Sequence, residues 1–432
     1  MAEGALGGAA ARSGRAGGAP ETAAKATFRE VFASSEFRAL CFAQILSVAG
    51  DQLARVAMTV LVYDRTRSAL LTALTYAVTF LPWIIGGVAL SGLADRLPRR
   101  QVMIACDLAR MVLVCAMVAV SLGRSSVLLL VMVALLFLVT LLDSPFKAAR
   151  SALIADILTG ERYVIGTTVT QITLMTGTVA GFALGGVVVA ALGSQTALLV
   201  DAASFAGSAL LLLWVHKRPA AALSGGSHRP RSQWADMGAG LRLVFGNGEL
   251  RTLMLYGWLV AFYAIPMSLA APFTAVFHGI PLAIGTGLVF AAVPLGSALG
   301  TFALGRLVSP ARRQRLMGPL AAGSCSVLVL CALHPSFAVA LAIFVVAGAC
   351  AGYQLAANAA FVAAVPAQHR GQAFGLANGG MQVMQGLWFV LAGALAEVLA
   401  PAIVIALAGA IGATTATVLA AMRKSPALRR TN

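Results

Sequence analysis

The sequence predicts an all-α membrane protein with twelve transmembrane helices in two pseudo-symmetric six-helix halves. Three observations predict it. Hydrophobic residues make up 59% of the 432 positions and charged residues only 11%, where soluble domains carry about 25%. Apolar runs of about 20 residues, the length that crosses a bilayer core, recur along the chain, without the alternation of barrel strands. The second half also repeats landmarks of the first at a nearly constant offset. Together these exclude a soluble enzyme, a disordered chain and a fibrous repeat.

Residues 1–36 form the first element. Positions 1–27 are rich in Gly and Ala, with Arg12, Arg15 and Lys25. No apolar core follows the basic start, so they read as a disordered tail rather than a signal peptide. Phe28 to Phe37 fits a short amphipathic helix on the inner membrane surface. Spans are expected at 38–63, 68–93, 101–122, 126–146, 163–191 and 196–215, giving an N-terminal half over 37–215. The linker 216–250 is rich in Arg, Gly and Pro. The C-terminal half, 251–422, holds spans at 251–277, 282–307, 316–334, 337–362, 372–398 and 401–422, before a tail at 423–432.

The basic residues set the orientation. With the N-terminus inside, the tails and even-numbered loops carry 26 of the 31 Lys and Arg. Arg65, Arg67 and Arg124 fall on the other side, and Arg55 and Arg110 lie within spans. The excess predicts that both termini are cytoplasmic. It also accounts for the formal charge of +16 without a nucleic-acid partner. Arg outnumbers Lys 27 to 4, which together with the abundant Ala and Gly suits a GC-rich bacterial genome, so a bacterial plasma membrane is expected.

Three landmarks carry the repeat. Pro82 precedes Pro294 by 212 residues, R-R-Q at 99–101 precedes R-R-Q at 312–314 by 213, and Gln171 precedes Gln382 by 211. Duplicated halves around a midplane site are a transporter pattern.

The loop S-G-L-A-D-R-L-P-R-R at 91–100 resembles the major facilitator superfamily signature G-x-L-A-D-R-x-G-R-R. Asp95, Arg96, Arg99 and Arg100 match. Ser91 stands where the first Gly is usual, with Gly92 next to it, and Pro98 replaces the second Gly. The resemblance implies a gating loop in which Asp95 caps the eleventh span near Gln372, where negative charge is favoured. On the residues alone it is a positive-inside loop. The fifth span reads G-T-V-A-G-F-A-L-G-G at 177–186. It resembles the glycine motif of exporters that exchange substrate for protons. Gly177, Gly181, Gly185 and Gly186 match, with Phe182 in place of Pro. The same spacing also clears a helix face for packing. Gly50-Asp51, L-V-Y-D-R-T at 61–66, C-D-L-A-R at 106–110 and S-P-F-K-A-A-R at 144–150 look like the drug-exporter branch that includes macrolide efflux pumps and the enterobactin exporter.

Charges inside spans are costly unless paired or wet. Asp51 lies 13 residues past Arg38, about 20 Å along a helix and near the midplane. Arg55 follows one turn later. Asp51 is the candidate proton carrier and Arg55 its modulator. Asp107 and Arg110 pair at i,i+3, and Asp143 is placed to meet Arg110. Each group also reads as a structural salt bridge. Asp201 and Glu397 fall near the outer face and read as wet. The second half offers no midspan carboxylate. Gln354, Asn358, Gln382 and Gln385, with Gln171 of the fifth span and the aromatics Tyr256 and Tyr263, are the candidate substrate-cavity residues.

The chain has no Gly-Lys-Ser or Gly-Lys-Thr, so ATP drive and enzymatic chemistry are not expected. The six cysteines sit in apolar runs without C-x-x-C and the five histidines are scattered, so no disulfide, metal or cofactor is expected. The expected partners are a small-molecule substrate, protons and the lipid bilayer, with the chain acting as a monomer. The expected function is export of a small amphipathic molecule driven by inward proton flow. Proton-coupled uptake and a non-transporting membrane sensor are the alternatives.

Overall fold

The computed structural model describes residues 27–80, 82, 97–123, 125–216, 241–366 and 369–424. The gating-loop positions Ser91, Gly92, Asp95 and Arg96 lie outside the described residues. So do positions 1–26, most of the expected linker, and the end of the C-terminal tail. Every regular element among the described residues is a helix.

After a short helix at Phe28–Ala33 come α1 (Ser35–Thr66), α2 (Ala69–Ala77), α3 (Arg99–Ser121), α4 (Ser126–Leu141), α5 (Asp143–Ile157) and α6 (Glu161–Leu212). The second half holds α7 (Gly248–Trp258), α8 (Val260–Tyr263), α9 (Ile265–Ser268), α10 (Ala270–Thr274), α11 (Leu282–Leu307), α12 (Pro310–Ser326), α13 (Phe337–Cys350), α14 (Gln354–Ala364), α15 (Arg370–Leu395) and α16 (Pro401–Lys424). Side-chain oxygens mark several starts. Ser34 accepts from the Phe37 N–H, Ser68 from Leu71 and Asn247 from Glu249 and Leu250, satisfying donors that a helix end leaves free.

Nine helices among the described residues are long and apolar enough to cross a membrane. One of them, α6, has 52 residues, about 78 Å of helix against a core of about 30 Å. It is therefore two crossings. The break is at Gly193, with φ 83° and ψ 162°, a conformation that glycine reaches without a side-chain clash. The fourth crossing is longer than its expected limits, because α4 and α5 continue through Leu142 to Ile157. The seventh is divided into α7–α10 by near-helical joints at Leu259, Ala264 and Leu269. Pro266 and Pro272 each lack a donor N–H there. Each expected span has a helical counterpart among the described residues, which include only the first part of the second span.

Within the first half, α6 packs along α1 and against α3. Within the second, α11 packs on α13 and α12 on α16. The halves meet through α6 on α11 and α2 on α15. Under the internal repeat, α2 corresponds to α11 and the first part of α6 to α15. The two crossings thus bring together the same pair of corresponding helices. The ring contacts between halves lie inside the bundle, on the side toward the turns opposite the termini, and Glu397 adds a contact at the turns themselves. Phe182 stacks on Phe290 with ring centroids 4.9 Å apart, and Tyr76 stacks on Phe389 at 5.4 Å. That face of the bundle is closed.

Candidate functional site

Four crossings of the first half direct charged side chains to one place. Asp51 and Arg55 of α1, Arg110 of α3, Asp143 of α5 and Asp201 of α6 line one cavity, walled by Ala54, Val114, Met117, Leu136 and Leu198. Asp51, Arg55 and Asp143 also border a second cavity, with Gln44, Ser47, Gln52, Lys147 and Arg150. Asp51 therefore borders both cavities, as do Arg55 and Asp143.

The Arg110 guanidinium is fully buried. It donates to Asp143 Oδ1 at 3.0 Å and lies 4.0 Å from Asp107 Oδ1. The rings of Phe146 and Phe205 sit 5.0 and 5.5 Å away, close enough for cation–π attraction. Asp143 is also paired with Lys147. Asp143 thus holds both cations, as buried charges require, with Asp107 a more distant third member. Among the described residues Asp51 has no ion pair. Arg55 turns to Tyr76 of α2, 5.8 Å from its ring centroid, rather than pairing with Asp51.

Two readings of the sequence change. Asp201 is not wet but 1% exposed. It follows the Gly193 break by eight residues, about 12 Å of helix, so it lies well inside the bundle. Lys147 and Arg150 are not loop charges. Helix α5 runs past them and places them at the second cavity. The i,i+4 spacing of Asp143 and Lys147 was the sequence signal for this pair.

The glycine face serves two neighbours. A Cβ on Gly181 would lie 2.7 Å from the Ala49 carbonyl oxygen, and one on Gly185 would lie 3.0 Å from the Leu53 Cα. Gly177 faces Val48 of the same helix, α1. Gly186 points the other way, where a Cβ would come 2.7 Å from the Ala283 carbonyl of α11. α11 answers with Gly287, whose Cβ would come 2.6 Å from the Phe182 carbonyl. Helix α6 is unbroken at Phe182, and the ring there makes the stack on Phe290.

At the closed face, Glu397 accepts from Ser68 Oγ at 2.6 Å and from the Leu70 N–H at 2.8 Å. It follows α15 and bonds the first turn of α2, so it joins the two halves. The Leu70 N–H and then the Ser68 hydroxyl hold its carboxyl below the usual range. Of the gating-loop set, Arg99 is paired with Asp156 and donates to the Ala152 carbonyl at 3.2 Å. Arg100 is half-buried beside it on the first turn of α3.

The expected substrate-cavity residues do not gather in one place. Tyr256 is fully buried in the second half, and its carbonyl accepts from the Tyr353 hydroxyl at 2.8 Å. It is a core residue, because α7 turns that face toward its own bundle. Tyr263 is also buried, its hydroxyl 2.7 Å from Gln354 Nε2. Gln171 and Asn358 are exposed, Gln382 is half-buried and Gln385 is buried.

A family model described as the Major Facilitator Superfamily matches residues 40–318 and 283–432. The multidrug efflux pump Tap of Mycobacterium tuberculosis (strain ATCC 25618 / H37Rv) is 28% identical over 289 residues, 64% of this chain and 66% of that protein. The chain thus spans just under two thirds of the length of the curated relatives it matches. Among solved structures, the nucleoside transporter NupG shares the fold with a TM-score of 0.69 at 13% identity, covering 90% of this chain and 99% of that one. A bacterial homologue of the iron transporter ferroportin, in an inward-facing state, matches with a TM-score of 0.66 at 14% identity, covering 91% of this chain and 99% of that one.

Proposed function

We propose that this chain, which belongs to the Major Facilitator Superfamily, exports a small amphipathic molecule from a bacterial cell in exchange for protons. The similarity to the multidrug efflux pump Tap supports the direction. The observation that carries the mechanism is the position of Asp51, half-buried where two cavities meet and, among the described residues, without an ion pair. A carboxyl there is pulled two ways. Desolvation favours the neutral acid, and the nearby guanidinium groups favour the carboxylate. A group so balanced can take a proton from one side and release it to the other as access alternates. Arg110, Asp107 and Asp143 form the fixed electrostatic frame, and Arg55 tunes the acid from its place beside Tyr76.

The rest of the machinery follows the internal repeat. The N-terminal half (37–215) and C-terminal half (251–422) rock about the α6–α11 and α2–α15 crossings, joined by the 216–250 linker. The tails are 1–36 and 423–432. With both termini cytoplasmic, the face closed in this structure is the outer one and the substrate path opens inward. The 91–100 loop closes the inner side in the opposite state, Asp95 meeting the first turn of α15. The second half receives the drug on the polar and aromatic side chains that border the path between halves, Gln382 among them. The chain works as a monomer and needs neither cofactor nor metal.

The test uses everted membrane vesicles with an imposed inside-acid gradient, and ethidium and a macrolide as probes. The wild-type chain accumulates a probe and Asp51→Asn does not, while equilibrium binding of the probe persists. Accumulation only under the opposite gradient would make the protein a symporter, and gradient-driven accumulation by Asp51→Asn would remove Asp51 from coupling.

A further inference from the structure

Asp201 has no part in the scheme above, yet its surroundings single it out. It is 1% exposed and lines the same cavity as Asp51. Its carboxyl accepts from Ser204 Oγ at 3.4 Å, and among the described residues it forms no ion pair. Its Oδ1 and the side chain of Ser204 both pack on Gly50, where a Cβ would come 2.5 Å from the Asp201 oxygen and closer still to Ser204 Oγ. Gly50 is the residue before Asp51. The second part of α6 therefore brings an acid against the backbone that carries the coupling acid, at a position without a side chain to keep it away.

Three of the four nearby cations are engaged by other groups, and the fourth, Arg150 of α5, borders the second cavity with Asp51. Arg110 of α3 is held by Asp143, Lys147 of α5 by the same carboxylate, and Arg55 of α1 by the Tyr76 ring. Asp107 of α3 faces Arg110. Two unpaired carboxyls then share a poorly solvated space. Like charges so placed do not ionise independently, because the first carboxylate formed makes the second proton harder to remove.

We propose that Asp51 and Asp201 form one two-carboxyl coupling unit that shares a proton and passes it between α1 and α6, with Gly50 kept bare so that the acids can meet. The transfer breaks one O–H bond and forms the other, so charge and atoms balance with no further reactant. The proposal rests on the reading of Asp51 as the coupling acid, and extends it from one residue to a pair.

The test is an infrared titration of the purified full-length protein in lipid nanodiscs. It reads the C=O stretch of protonated carboxyls in wild type, Asp51→Asn, Asp201→Asn and Gly50→Ala. A coupled pair predicts that the last proton leaves wild type at higher pH than it leaves either single Asn variant. The shift is reciprocal, because each charge acts equally on the other. Gly50→Ala keeps both signals and shrinks the shift by wedging the acids apart, and it carries the test alone if an Asn variant fails to fold. If each Asn variant deletes one signal and leaves the other midpoint unmoved, the acids are independent and the pair is refuted. An unmoved titration in Gly50→Ala refutes it equally. The transport reading fails separately, if Asp51→Asn still accumulates ethidium against a gradient.

Discussion

Asp143 answers two cations at once, Arg110 at 3.0 Å and Lys147 one turn further along its own helix. Replacing it by Asn would leave Arg110 with only the 4.0 Å approach of Asp107. A buried pair broken on one side costs about 3 kcal/mol or more. Asp143→Asn should therefore melt well below wild type in a fluorescence thermal ramp, and Asp107→Asn should lose less, since its carboxylate sits farther from the guanidinium. Equal melting of both variants would show that distance does not rank these pairs. Much of this frame was legible in the sequence. The i,i+3 spacing of Asp107 and Arg110 and the position of Asp143 state it outright. Asp201 was not legible although the expected turn at 192–195 brackets Gly193, because eight residues of helix already carry it into the bundle and spacing alone does not show that it faces α1. Tyr256 was misplaced for a related reason. Aromatic spacing marks a helix face without saying whether that face looks into the bundle or toward a path.

Among the elements, α6 carries the largest packing load. At Gly181 the obstacle to a side chain is α1 backbone, the Ala49 carbonyl 2.7 Å away, whereas at Gly177 it is the Val48 side chain at 3.3 Å. Backbone cannot step aside as a side chain can. Gly181→Ala should thus reduce drug export markedly and Gly181→Leu abolish it, while Gly177→Ala stays near wild type. Export assays on equal amounts of membrane protein check the order, and tolerance of Leu at 181 would mean that the face is not a close-packed surface. The α2–α15 crossing adds a latch with a pH dependence. The Glu397 carboxyl is held below its usual range by the Leu70 N–H and Ser68 hydroxyl, so the latch is stabilising above that range and is lost as pH falls through the lowered value. Spin labels at Leu71 and Leu399 should report a closed pair at neutral pH and a longer distance in acid. Glu397→Gln should remove the acid response, and an unchanged response in that variant would place the sensor elsewhere.

At the scale of the whole molecule, the repeat carried most of the architecture. Landmarks near 212 residues apart in the sequence make α2 the counterpart of α11 and the first part of α6 that of α15, the helices of the two crossings between halves. What the sequence left open is which end of the bundle is shut, since that is a choice between two states of one chain. The contacts of Phe182, Tyr76 and Glu397 join the halves toward the end opposite the termini in this structure. Orientation is tested by external thiol labelling in a background without the six native cysteines. A maleimide that cannot cross the membrane should reach Gln195→Cys and miss Ser309→Cys, and the reverse would invert the topology. The central claim is that drug and proton move in opposite directions through Asp51. The most direct measurement adds ethidium or a macrolide to everted vesicles without any imposed gradient and follows lumenal pH with a trapped dye. Drug entering by exchange should drive protons out and make the lumen alkaline in wild type, and should leave pH unmoved in Asp51→Asn. Lumenal acidification in wild type, or alkalinisation that survives Asp51→Asn, would contradict the account.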